Sequence, residues 1–218
     1  MRKILLALLF LSATTYASTE KIECIGPEPE NAKSYMVFLH GAGITGLHNR
    51  NVRVLKQIAE KKKVRFAIPI SQWQCTSEKY KGQPCWMRGP FEDHSYKPAF
   101  EVIEDAAEKC FRNRDYGLLG FSNGGHLVTT LKQHCVPNKF TKLIAVGMGV
   151  KGRPTDRPGL RGCSPQLNVL IGDKDHEYMA ITKSSFELLK SRDADITYEV
   201  YEGAHELTAE SLYRFFEN

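Results

Sequence analysis

After Leu11 the chain has no apolar run approaching the roughly 20 residues that a helix needs to cross a bilayer, which argues against a membrane-embedded body. It has no Cys-x-x-Cys and no His-x-x-x-His spacing, so the usual zinc and redox motifs are missing and no metal or cofactor is called for. A large excess of either charge is also absent. The formal charge is +5 from 30 basic and 25 acidic residues; leaving out Arg2 and Lys3, 28 stand against 25, giving +3. So small a balance points to no nucleic-acid partner. No internal repeat or low-complexity tract interrupts the chain.

What is present begins with Arg2 and Lys3, an apolar run from Ile4 to Leu11 and a small-residue exit at Thr15-Tyr16-Ala17. This pattern predicts a signal peptide over residues 1–17, cleaved after Ala17, and an exported protein, periplasmic or extracellular. Cys24, after Lys21-Ile22-Glu23, does not fit a lipid-attachment signal, so no membrane anchor is expected. Residues 18–218 are then enough for one well-buried domain and too few for two. All six cysteines fall in this part, at 24, 75, 85, 110, 135 and 163. An even count in an exported chain predicts disulfides, of which the short loop between Cys75 and Cys85 suggests one pairing.

The apolar pattern alternates between short continuous runs and helical spacing. Tyr35 to Leu39 reads as a buried strand stopped by His40-Gly41-Ala42-Gly43. Val52, Leu55, Ile58 and Ala59 then share a helical face, and Val64 to Ile68 forms another strand. A second helix carries Phe100, Ile103, Ala106, Ala107 and Phe111, followed by a strand at Tyr116 to Gly120 and a helix from about Asn123 to His134. Strands near Leu143 to Gly147, at Leu167 to Ile171 and at Ile196 to Tyr201, with helices at Tyr178 to Ser191 and Leu207 to Phe216, complete the series. Such alternation predicts an α/β fold, a mostly parallel sheet with helices on both faces. Two connections, Ser71 to Lys97 and Met148 to Pro165, exceed the two to six residues usual in these units.

Gly120-Phe121-Ser122-Asn123-Gly124 is a G-x-S-x-G string lying directly between a strand and a helix. The sharp turn at that junction exposes a serine Oγ, and only small neighbours avoid collision. A serine hydroxyl needs a base to take its proton and a group to orient the base. Downstream, Asp173 and Asp175 follow the strand ending at Ile171, and His205 follows the strand ending near Tyr201. Both positions lie beyond the carboxyl ends of their strands, on the edge where Ser122 sits. Asp175 fits the common Gly-x-x-Asp spacing better than Asp173, and the other aspartate is expected to cap the next helix. For the oxyanion, the backbone N–H of Asn123 supplies one donor. The loop at His40 to Gly43 supplies the other, from Ala42 or, alternatively, Gly43.

In this order the motifs resemble those of the alpha/beta-hydrolase superfamily, over nearly the whole chain after residue 17. Gly120-Phe121-Ser122-Asn123-Gly124-Gly125 is similar to the string of the polyhydroxybutyrate-depolymerase and feruloyl-esterase-like group, and also to dienelactone-hydrolase and prolyl-oligopeptidase-type domains. No inserted cap domain is evident. The resemblance implies a serine hydrolase that cleaves carboxylic esters through Ser122, His205 and Asp175 by way of an acyl-enzyme. A serine peptidase and a noncatalytic ligand-binding protein on the same scaffold are the competing functions. The partner implied is a small or oligomeric ester substrate, and nothing in the sequence demands more than a monomer. Trp73 and Trp86, flanking the Cys75 and Cys85 loop, are read as local packing rather than a platform for an aryl or sugar group. Lys151, Arg153, Arg157 and Arg161, against Asp156, are read as solvated charge rather than a site for an acidic substrate.

Overall fold

The computed structural model describes residues 21–44, 48–76, 78–86, 96–136, 140–148 and 160–217. The proposed signal segment and the basic residues 151–157 lie outside them. Seven strands form one sheet: β1 (Ile22–Ile25), β2 (Ser34–Leu39), β3 (Val64–Pro69), β4 (Tyr116–Phe121), β5 (Phe140–Val146), β6 (Leu167–Gly172) and β7 (Ile196–Tyr201). Their order across the sheet is β1-β3-β2-β4-β5-β6-β7. Every pairing is parallel except β1 with β3. The helices are α1 (Arg50–Lys62), α2 (Lys97–Phe111), α3 (Asn123–Gln133), α4 (Met179–Lys190) and α5 (Ala209–Tyr213).

Strand side chains alternate between the two faces, and the core divides accordingly. Val37 and Leu39, Leu143 and Ala145, and Leu167 and Val169 point to the layer that holds α2, α3 and Leu189 of α4. Met36 and Phe38, Ile144 and Val146, and Leu119 and Phe121 point to the layer that holds α1 and α5. Both faces are therefore covered, which is why the central strand β4 reads as a continuous apolar run and is buried along its whole length.

β1 has no counterpart in the sequence reading. It is four residues long, its Ile22-Glu23-Cys24-Ile25 alternates rather than running apolar, and it pairs antiparallel at the sheet edge. A disulfide between Cys24 and Cys110 fastens it to the end of α2. Closing a chain segment of 86 residues removes enough unfolded-state entropy to stabilise the fold by about 4 kcal/mol. The other disulfides are Cys75 to Cys85, as expected, and Cys135 to Cys163. Three disulfides suit an exported protein. Among the described residues no helix is long and apolar enough to cross a membrane.

Candidate active site

Ser122 stands between β4 and α3 with φ 52° and ψ −117°, a conformation that strains any residue with a Cβ and costs about 1–3 kcal/mol. The surroundings enforce it. The Ser122 N–H donates to the Val146 carbonyl at 2.8 Å, and its own carbonyl accepts the His126 N–H at 3.1 Å. A Cβ at Gly124 would lie 2.0 Å from the Leu39 carbonyl oxygen, and one at Gly120 would lie 2.3 Å from the Gly124 oxygen. The helix thus starts hard against the sheet only because these neighbours are glycine, as the motif implied.

His205 Nδ1 lies 2.6 Å from Asp175 Oδ2. The carboxylate is buried, with a side chain 2% exposed, whereas His205 is 28% exposed. Because a carboxylate only accepts, Nδ1 carries the proton and Nε2 keeps its lone pair facing away from Asp175. The His205 ring packs against Phe121, the residue before Ser122, with centroids 4.9 Å apart. It also rests on Gly147, at the end of β5, where a Cβ would come within 2.9 Å of His205 Cε1. β4, β5, β6 and β7 therefore deliver Ser122, Gly147, Asp175 and His205 to one sheet edge.

Asp173 does not share this pairing. It is exposed, and its Oδ1 accepts the Gly203 N–H at 2.9 Å, which braces the turn ahead of His205. The expected helix cap at Asp173 is thereby corrected: Asp175 Oδ1, not Asp173, accepts the Tyr178 N–H at 3.4 Å just before α4, because Asp173 is turned toward the neighbouring loop. On the far side of His205, Arg50 pairs with Glu206 and the Tyr201 hydroxyl donates to the Glu206 carbonyl. Burial pushes the Tyr201 phenol well above its usual range, which keeps that donor protonated.

The loop after β2 is ordered by His40, which is 1% exposed. Its Nε2 accepts the Ser71 N–H at 3.0 Å, so Nδ1 bears the proton and donates to the Gly41 carbonyl at 2.7 Å. In a trans peptide the carbonyl and the following N–H point in opposite directions. Holding the Gly41 carbonyl toward His40 therefore turns the Ala42 N–H away from it. The Gly43 N–H is already given to the Pro84 carbonyl at 3.2 Å, which leaves Ala42 as the available donor of the two considered.

Burial lowers the His40 pKa to about 4, against a smaller opposing effect of its bond to Gly41. A folded-state value below the unfolded one makes the stabilisation complete above about pH 6.5 and progressively lost as pH falls toward 4. The difference corresponds to about 3 kcal/mol. Urea unfolding of wild type and His40→Gln at pH 7 and pH 4 should show a loss larger by about that amount in wild type. Equal losses would remove His40 as a source of acid sensitivity.

Trp86 is buried between His40 and Trp73, with centroids 5.2 and 6.4 Å away. The tryptophans pack, as read from the sequence, and Trp86 offers no face to a substrate. Among the described residues no group of three or more His, Cys, Asp or Glu is arranged to hold a metal. A groove of about 470 Å³ lined by Glu23, Ile25, Lys56 and Lys63 opens at the amino ends of the strands, opposite the edge that carries Ser122. Three contributors escaped sequence reasoning: Gly147, Tyr178 and the buried role of His40. Nothing adjacent in sequence marks Gly147 or Tyr178, because the His205 ring that each touches comes from the loop after β7.

The whole architecture is an α/β-hydrolase fold. The chain is similar to a carboxylesterase of Bacillus cereus, with 18% identity and a TM-score of 0.66 over 92% of this chain and 93% of that one. It is also similar to esterase PE8, with 18% identity and a TM-score of 0.66 over 90% and 96%. A third likeness is to acyl-protein thioesterase 2 of Zea mays, with 14% identity and a TM-score of 0.62 over 90% and 96%. No family model matches the sequence, and no curated protein matches it. At such identities the likeness is one of fold, and function must be argued from the site.

Proposed function

We propose that the chain is an exported serine hydrolase that cleaves carboxylic esters. The observation that carries this reading is the 2.6 Å pair of Asp175 and His205 packed against the residue that precedes a strained, turn-borne Ser122. Ser122 Oγ attacks the acyl carbonyl while its proton passes to His205 Nε2. The carbonyl oxygen, now an anion, accepts hydrogen bonds from the backbone N–H groups of Ala42 and Asn123. Collapse expels the alcohol, which takes the proton from His205, and water then releases the acyl group by the same steps in reverse roles. Asp175 holds His205 in the tautomer that leaves Nε2 as acceptor.

The names borne by similar structures, carboxylesterase, esterase and acyl-protein thioesterase, support acyl transfer from oxygen or sulfur as the class of chemistry. The Gly120 to Gly125 string adds aryl and hydroxyalkanoate esters to the substrates worth testing. Purified protein should hydrolyse short p-nitrophenyl esters and should be labelled by a fluorophosphonate on the peptide containing Ser122. Protein that does neither sinks the reading, and faster turnover of peptide amides than of esters would replace it with a peptidase.

A further inference from the structure

Tyr178 touches both members of the acid–base pair. Its backbone N–H faces Asp175 Oδ1 at 3.4 Å, while Asp175 Oδ2 is the atom bonded to His205. Its ring lies on the His205 ring with centroids 4.3 Å apart and an interplanar angle of 31°. A cation within about 6 Å of an aromatic face is stabilised by the ring quadrupole. His205 becomes such a cation each time it takes the serine proton. The ring also limits rotation of an imidazole whose opposite end is free to face substrate.

At the Tyr178 hydroxyl, burial above all, with Tyr80 and Glu177 as neighbours, raises the phenol well above its usual range. Glu177 in turn pairs with Lys79 at 3.1 Å. Lys79 and Tyr80 belong to the loop closed by the Cys75 to Cys85 disulfide. The same loop reaches the other side of the site, where the Pro84 carbonyl accepts the Gly43 N–H and the Trp86 N–H donates to Asn123 Oδ1 at 2.6 Å. One stapled loop thus contacts the oxyanion side and the residue next to Tyr178.

We propose that Tyr178 is a positioning residue for His205, its ring steadying the imidazolium, and that the disulfide-closed loop steadies this segment through the Lys79–Glu177 pair. This rests on the reading of Ser122 and His205 given above. In the step concerned, the Oγ–carbonyl bond forms as the Oγ–H bond breaks, the carbonyl π pair moves to its oxygen, the proton goes to Nε2, and the positive charge of the imidazolium is stabilised by the Asp175 carboxylate and the Tyr178 face. Side-chain replacement leaves the Tyr178 N–H in place, so the ring is tested alone.

Steady-state hydrolysis of p-nitrophenyl acetate should fall about tenfold in kcat for Tyr178→Leu with KM within about twofold, the size expected of a ring–cation contact. Tyr178→Phe keeps the ring and should lose about threefold at most. Fluorophosphonate labelling of Ser122 should slow in parallel with kcat. If the loop acts through the Lys79–Glu177 pair, Lys79→Met should lose about threefold in kcat at most, and the Lys79→Met, Tyr178→Leu double variant should lose no more than Tyr178→Leu alone, the signature of two residues in one path. Unchanged kcat in Tyr178→Leu, an effect on KM alone, or a loss in the phenylalanine variant as large as in the leucine variant overturns the ring's role. Additive losses overturn the role of the loop. A wild-type protein that neither turns over nor labels instead overturns the assignment of Ser122, before Tyr178 comes into question.

Discussion

Ser122→Ala is expected to lower kcat on a short p-nitrophenyl ester by about 10⁶-fold and to abolish fluorophosphonate labelling. The reason is local. Alanine retains the Cβ, so it fits the turn between β4 and α3 no worse than serine does, and the amide bond to Val146 needs no side chain. What disappears is the oxygen proposed to carry the acyl group. The donors proposed at Ala42 and Asn123 survive the change, so a residual acceleration of about 10³-fold over the uncatalysed reaction should persist. Unfolding in urea should be nearly unaltered. A variant that keeps more than about a hundredth of the wild-type rate would take Ser122 out of the nucleophile's role.

Asp175→Asn should cost about 10⁴-fold in kcat. The amide has one acceptor and one donor end, and two neighbours compete for the acceptor. The Tyr178 N–H, shared between the Asp175 carbonyl at 3.3 Å and Oδ1 at 3.4 Å, favours an acceptor where Oδ1 now lies. Satisfying it points the new NH₂ at His205 Nδ1, which must then give up its proton and accept. The proton moves to Nε2, where it blocks the lone pair that takes the serine proton. Asp173→Asn serves as the comparison, because Asp173 only receives the Gly203 N–H and its loss should lower the rate less than about tenfold. If the two variants fall equally, Asp175 does not set the tautomer of His205.

These roles were legible to different depths. Strands buried on both faces, such as Tyr116 to Phe121, announce themselves as continuous apolar runs, and the serine turn is a local string in which Gly120 is demanded by Gly124 four residues on, although Gly124 itself is demanded by Leu39 of β2. Cys75 and Cys85 were pairable because only ten residues separate them. Cys24 and Cys110, 86 residues apart, meet only once an edge strand is laid beside β3, and four alternating residues do not advertise a strand. Asp175 and Asp173 occupy the same turn, and which one faces His205 depends on how that turn docks against the loop after β7. Gly147 and Tyr178 are silent for the same reason. Nothing near them in sequence calls for a glycine or an aromatic; the His205 ring does, and it arrives from a different strand.

The placement of the pair at the end of the sheet has a further consequence. Ser122 leaves the central strand, flanked on both sides and buried throughout, whereas His205 follows β7, which pairs only with β6 and is half exposed along its length. Local opening begins where fewest neighbours must be released. Fraying of β7 would carry His205 away while the turn holding Ser122 stayed intact. Under gentle heating the protein would pass through a form that is still folded and still presents its serine, yet is already inert.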